Sequence, residues 1–546
     1  MPSGRPQLAN FALVGLELCL RACARAAMAT LFDAQRCADR SVGVVACEDG
    51  VAPGYVLLSV AKMVYLLDSD GRVAHSWTSK RTVFVAYLLK GGDLLRDGNE
   101  LALAPQFKAG GAAGYIECVT WDNEPVWSWS ALPRFKYLSH HDLQPLPNGN
   151  VLVLVWERKT KEEAVAAGRH PELIPDGEVW NNLVVEIQPD GTGKASEVWR
   201  WSQWDHLCQA HDPSKDNYVK DISAHWDRLD INYCPPGGKA KCRGGGLKAG
   251  DHNATALAVF DSVGKTGERD WIHANAVSYS RKDSGLVVVS YNVPCEVIIL
   301  AHRAPRPGQW KGILYRFGNP LVSQRPPDRH LQTLFVQHST AVCDDDEDPK
   351  VLRFVLFNNG RAPDRMWSTV DEYAIDMASS QSSKTWTHEK TWSFGRPAGH
   401  LGSFYSHHSS GVRKLENGNV LVTLGPQGIL FEVTREGKEV WRYISPVKTP
   451  PSEDEPHSIV AQGAQRGAGK FGLFFADKYS AARVPKLGEL EEGSGRRLEG
   501  PDEVDHRSTA DKSVETRGRP AARAAQPAQP QLRHLDGSLQ RAARTA

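Results

Sequence analysis

One pattern recurs six times along the chain and constrains its fold more than any other feature: an apolar run, a short polar turn, then a run carrying Trp or another aromatic residue. The first copy runs from Met63 through Asp68-Ser69-Asp70-Gly71 to Trp77. The second runs from Tyr115 through Asp122-Asn123 to Trp127 and Trp129, and the third from Leu183 through Pro189-Asp190-Gly191 to Trp199 and Trp201. Two looser copies pair Val297–Leu300 with Ile313–Phe317 and Tyr373–Ile375 with Lys390–Phe394. The last passes from Ile429–Val433 through Thr434-Arg435-Glu436-Gly437 to Glu439–Tyr443. Each reads as a β-hairpin, because Asp, Asn and Gly accept turn dihedrals while β-branched and aromatic residues suit pleated strands. Between hairpins a turn announces a further strand. Leu146-Pro147-Asn148-Gly149-Asn150 precedes Val151–Val155, and Leu415-Glu416-Asn417-Gly418-Asn419 precedes Val420–Thr423. Four short antiparallel strands per unit, repeated radially, predict an all-β fold, a six-bladed β-propeller whose blades bury their faces against one another. A β-sandwich also supplies many short strands, but gives no reason for the aromatic repeat.

The predicted propeller occupies residues 51–490, with a long Gly-rich stretch at 202–270 read as an inserted loop or lid. Residues 1–50 are expected to form a helical or disordered leader. Phe11–Leu20 is apolar, but Glu17 interrupts it, Arg21 and Arg25 follow, and it falls short of the roughly 20 residues of a membrane span. It carries only parts of a signal peptide. Residues 491–546 are rich in Glu, Arg, Ala, Pro and Gln and are expected to be a disordered tail. Lys and Arg total 65 against 64 Asp and Glu, so no overall field draws the protein to nucleic acid or an anionic membrane. The ten cysteines contain no CxxC pair, which argues against a zinc ribbon. Cys234 and Cys242 flank a Pro-Pro-Gly-Gly turn and can close a small loop in an oxidising compartment, or stay thiols in a reducing one.

Four segments align on the strands that follow them: Ser139-His140-His141-Asp142-Leu143, Ile272-His273-Ala274-Asn275-Ala276, Gln337-His338-Ser339-Thr340-Ala341 and His408-Ser409-Ser410-Gly411-Val412. In this register His140, His273, His338 and Ser409 are equivalent. Innermost propeller strands line the central channel, so the four are expected to meet on the axis. A histidine in a strand is commonly a hydrogen-bonded structural residue, yet coincidence would have to act three times at one repeat position. Imidazoles gathered around a tetrahedral anion can attack it, donate to it and return protons near neutral pH. A metal centre is the rival, since three imidazoles bind zinc or copper, although the alignment fixes no carboxylate except Asp142.

From Val51 to Leu487 the chain resembles the arylsulfotransferases, in particular their large propeller branch. The resemblance rests on His140-His141-Asp142, Trp204-Asp205-His206-Leu207, Asp227–Tyr233, Asp270–Ala276 and Leu314–Pro320. It continues through Phe335-Val336-Gln337-His338, Phe357-Asn358-Asn359-Gly360 and the Leu-x-Asn-Gly-Asn turn of the last unit. It implies transfer of a sulfuryl group from an aryl sulfate to a phenol by a ping-pong route, with no cofactor and no nucleotide donor. By position His338 is the nucleophile, and His273 and Asn275 bind the sulfuryl or leaving oxygens. His140 or His141 serves the phenol's proton, while Ser409 and His408 line the pocket. Where members of the family carry a cation after the strand Leu286–Ser290, this chain has Asn292, an amide without charge. Arg303 and Arg361 are candidate replacements, and a propeller that binds without catalysing is the alternative. The acidic run Asp344–Asp348 is read as a solvated loop rather than a cation site. The resemblance favours an extracytosolic location; donor, acceptor and oligomeric state are not readable.

Overall fold

The computed structural model describes residues 40–500 apart from 175, 226, 234–268, 304–311, 324–331, 344–347, 362–364, 378–385, 451–454 and 467–470. Six antiparallel sheets form a β-propeller. From the axis outward, the second blade is Ala86–Leu88, Leu94–Asn99, Gly114–Val119 and Pro125–Trp129. The third is Tyr137–Pro145, Val151–Thr160, Glu178–Pro189 and Ala195–Ser202, and the fourth is Ala274–Ser280, Leu286–Tyr291, Glu296–Ala301 and Ile313–Phe317. The fifth is His338–Cys343, Val351–Asn358, Thr369–Asp376 and Thr387–Phe394.

The first and last blades close the ring by exchanging chain ends. Ala476–Tyr479 is the innermost strand of the first blade, inside Tyr55–Val60, Met63–Leu67 and Arg72–Thr78. Gly43–Cys47 pairs with the outer strand Glu439–Ile444 of the last blade, outside Gly411–Lys414, Val420–Leu424 and Ile429–Val433. Arg496–Arg497 extends the first blade outward. Paired backbone therefore reaches beyond both ends of the expected 51–490 span.

Middle strands such as Val151–Val155 and Phe354–Phe357 are unbroken apolar runs, wholly buried, because a neighbouring blade covers each face. Outer strands are more exposed, and Thr387–Phe394 shows no buried position.

The six hairpins share a device finer than the aromatic repeat suggests. Each outer strand holds one extra residue in a β-bulge, and the next residue in register is aromatic: His75, Trp127, Trp199, Tyr315, Trp392 and Trp441. In the first blade that place belongs to His75, with Trp77 two residues on. Each ring meets the following blade. His75 Nε2 lies 2.9 Å from the Trp121 carbonyl, and the indole N–H of Trp392 donates to the Arg435 carbonyl at 2.7 Å. Trp441 donates to the Ser69 carbonyl at 2.9 Å across the ring closure. Trp199 packs edge-on against His302 at 4.8 Å, and the Tyr315 hydroxyl lies 2.8 Å from His388 Nδ1.

Residues 202–233 of the expected insertion form short 3₁₀ turns and a small parallel pair, Leu207–Cys208 with Leu229–Asp230. Leu207, Leu229, Ile231 and Tyr233 join Trp271 and Ile272 in the core shared by the third and fourth blades. Cys234, Cys242, the Phe11–Leu20 run, the acidic residues 344–347 and the tail beyond 500 lie outside the described residues. No described helix is long and apolar enough to cross a membrane.

Trp441 is fully buried where the last blade meets the first. Trp441→Ala removes both its packing and its bond to Ser69 and is expected to cost about 3–5 kcal/mol of stability, read from the urea midpoint. A loss below about 1 kcal/mol would mean that closure does not depend on this contact.

Candidate active site

The inner strands face the channel, and here they carry polar side chains and irregular backbone. In the third blade His140, His141 and Asp142 lie between the pairs Ser139–Val155 and Leu143–Val153, opposite Leu154 alone. In the fourth, Asn275 is the extra residue, and in the fifth Ser339 and Thr340 together oppose Leu356. His141, His273, Ser339 and Ser409 all have left-handed backbone, with φ of 57°, 49°, 54° and 50°. Such conformations cost a non-glycine residue about 1–3 kcal/mol and gather at functional sites.

These irregularities turn the side chains toward one another. His140 is recessed: its ring stacks on Trp156 at 4.0 Å, its Nδ1 lies 2.9 Å from His141 Nδ1, and it is 2% exposed. His141 is therefore the member of the pair that meets the fourth blade, its ring 4.5 Å from that of His273. It rests against Gly111, where a Cβ would come within 2.4 Å of the imidazole, so only glycine fits. Phe474, just before the closing strand, lies 6.1 Å from His141.

His273 and His338 are held by chemically different partners. His273 Nδ1 lies 2.5 Å from a carboxylate oxygen of Asp270, which is 1% exposed and sits next to the buried Trp271. His338 Nδ1 lies 2.8 Å from the amide oxygen of Asn359 and 3.0 Å from the Val336 carbonyl. The Asn359 amide N–H₂ in turn donates to the carbonyls of Ser406 at 2.7 Å and Ser409 at 3.0 Å.

Asn275 and Asn292 brace the same region. The Asn275 amide donates to the Gln337 carbonyl at 2.8 Å and that of Asn292 to the Val336 carbonyl at 3.1 Å, tying the fourth blade to the residues before His338. His408 lies 4.4 Å from His407, ring to ring.

Burial is the main reason the His338 imidazole is pushed down to about 3; the Asn359 hydrogen bond opposes it, while His273 and His408 add to it. Burial and His407 bring His408 to about 4. Burial, then His273, holds His140 and His141 well below the usual histidine range. At neutral pH these rings are uncharged, with nitrogen lone pairs available.

Against this site lies a buried ionic network. Arg413, on the inner strand of the last blade, donates to Ser339 Oγ at 3.2 Å and to the Tyr87 hydroxyl at 3.0 Å. Tyr87 reaches Asp142 at 3.4 Å, and Asp142 accepts from the Val277 N–H at 3.0 Å. Burial raises Asp142 to about 6 and Asp97 to about 7.

Arg303 does not face the channel: it pairs with Glu186 at 2.7 Å between the third and fourth blades. The charge of Arg361 acts on the Tyr233 phenol of the insertion. Arg413 is the cation that reaches the neighbour of His338, and nothing in the sequence marked it. Asp270 and Asn359 both stood in segments that carried the family resemblance without being singled out. Among the described residues, no three His, Cys, Asp or Glu side chains are arranged to hold a metal ion.

Asp97 accepts the N–H groups of Phe84 and Val85 on one oxygen, at 2.8 and 3.0 Å. Because burial raises its folded pKa, its stabilising effect is fully present below about pH 4 and is lost as pH rises to about 7. Asn supplies the same acceptor without titrating. Asp97→Asn is expected to flatten the fall in stability across that window, at up to about 1.4 kcal/mol per pH unit. Urea midpoints at several pH values measure it, and an unchanged slope would exclude a buried titrating Asp97.

The chain matches the arylsulfotransferase (ASST) family model over residues 125–306 and 308–453. It is 22% identical over 326 residues to the arylsulfate sulfotransferase AssT of Lelliottia amnigena, covering 55% of this chain and 47% of that one. It is 20% identical over 425 residues to the AssT of Escherichia coli O6:H1, covering 72% and 62%. The chain thus spans less than two thirds of either relative. Solved structures similar to it include a Bacteroides caccae protein of unknown function, with 10% identity, a TM-score of 0.36, and coverage of 72% of this chain and 94% of that one. A virginiamycin B lyase from Staphylococcus aureus gives 9%, a TM-score of 0.30, and coverage of 74% and 89%. Neither structure carries a functional argument. The family match spans more than half of the 546 residues, and the chain belongs to the arylsulfotransferase family.

Proposed function

We propose that this protein transfers a sulfuryl group from an aryl sulfate ester to a phenolic acceptor through a covalently sulfated His338. The observation that carries this reading is the His338 imidazole, held through Nδ1 by Asn359 and the Val336 carbonyl, with His273 and His408 near enough to act on its charge. A lone pair of His338 attacks sulfur, the bond from sulfur to the phenolic oxygen breaks, and the phenol leaves with the electron pair. His273, backed by the Asp270 carboxylate, protonates the leaving oxygen. In the second half an acceptor phenol gives its proton back to that ring, attacks sulfur, and returns the electron pair to His338.

Asn275 and Asn292 support the strand that presents His338, and Ser409 and His408 border the same pocket from the last blade. Phe474 offers an apolar face beside His141 for an aryl ring. One observation favours the alternative, a propeller that binds without catalysing. The side chain of Asn292 is engaged with a backbone carbonyl and supplies no charge toward a sulfate.

A chromogenic aryl sulfate, incubated with and without an acceptor phenol, separates the two readings. Acceptor-dependent release is expected, falling about a thousandfold or more in His338→Ala. Intact mass after donor treatment is expected to rise by one sulfuryl group, and not in that variant. A folded protein that gives neither release nor mass gain supports the binding reading.

A further inference from the structure

We propose that Asn359 is a positioning residue that locks His338 as the Nδ1–H tautomer and so presents Nε2, with its lone pair, as the attacking atom. The assignment rests on reading His338 as the nucleophile, and on bonds that leave little choice of proton placement. Asn359 carries two like-sized ends, amide oxygen and amide nitrogen, and only its contacts decide which faces the imidazole. Two backbone carbonyls, of Ser406 and Ser409, lie 2.7 and 3.0 Å from one end; carbonyls only accept, so that end is the N–H₂. The oxygen therefore faces His338. With the Val336 carbonyl it places two acceptors at 2.8 and 3.0 Å from Nδ1, which must carry the hydrogen. Asn359 is fully enclosed, and Ser368 Oγ donates to its backbone carbonyl at 2.6 Å, so the amide cannot swing aside.

The same contacts select an amide over a carboxylate. An aspartate here would turn its second oxygen toward two carbonyl oxygens, and its charge would favour the protonated imidazolium, which has no lone pair to attack with. His273, one blade away, has the opposite partner in Asp270. The two histidines are thus divided by their supports: an amide places no charge beside the ring assigned to attack, and a carboxylate backs the ring assigned to proton transfer. When sulfur bonds to Nε2, Nδ1 keeps its hydrogen and the ring gains positive charge, which the Asn359 oxygen and the Val336 carbonyl stabilise. The charge disappears when the sulfuryl group departs and the electron pair returns to Nε2.

The test begins with the resting protein, labelled with ¹⁵N in its histidine rings, the His338 signals being those lost in His338→Gln. A protonated Nδ1 and an unprotonated Nε2 are expected; an Nε2–H tautomer overturns the proposal. In Asn359→Leu the two signals are expected to move toward each other as the tautomers mix. Unchanged signals would show that the Val336 carbonyl suffices, and would also overturn it. In turnover, Asn359→Leu is expected to lower kcat about tenfold to a hundredfold while KM changes less than about threefold. A wild-type kcat would refute the positioning role. A protein that shows the tautomer, loses it in Asn359→Leu and yet transfers no sulfuryl group would refute the function while leaving the role of Asn359 toward His338 standing.

Discussion

A ring set against the turn of the next blade is the contact on which this molecule depends. The outer strand of each blade inserts one residue, bends, and aims an aromatic side chain at its neighbour, six times over. A single four-stranded sheet with Val151–Val155 or Phe354–Phe357 at its centre would expose both apolar faces. The rings, with the apolar runs behind them, bury those faces blade by blade until the circle shuts. Because the blades are locked at their rims, their inner strands are fixed around a channel, and side chains remote in sequence become neighbours there.

Along that channel the rules of the outer structure reverse. Regular pairing gives way to bulges, and non-glycine residues take left-handed backbone at His141, His273, Ser339 and Ser409. Apolar packing gives way to hydrogen bonds that cross from blade to blade, such as Asn275 to Gln337 and Asn359 to Ser406. Strain of this kind persists only where the surroundings over-determine it. The buried Trp156, Trp180 and Phe107 under His140, and the ionic chain through Arg413, Tyr87 and Asp142, provide that support.

The six hairpins were legible in the sequence because turn residues and strand periodicity are local signals. The bulge behind each ring was not, since only cross-strand register reveals that in the first blade His75 and not Trp77 follows it. Equivalent repeat positions led to His140, His273, His338 and Ser409, but could not tell that His140 would recede behind His141, a difference made by one left-handed residue and by Gly111. Asp270 and Asn359 act through bonds spanning three and 21 residues; without the fold nothing distinguishes them from other polar residues beside a strand. Arg413 is still less legible, since its partners Ser339, Tyr87 and Asp477 come from three other blades and are separated by most of the chain.

The exchange of chain ends also governs when the channel can close during synthesis. The innermost strand of the first blade is Ala476–Tyr479, and Phe474, beside His141, comes from the same late segment. A ribosome that has released the first five blades has made most of the histidines, yet the first blade still lacks its axial edge. The imidazoles on the inner strands thus become enclosed only after the chain has emerged through Tyr479, so a product truncated before that strand is left with an open ring.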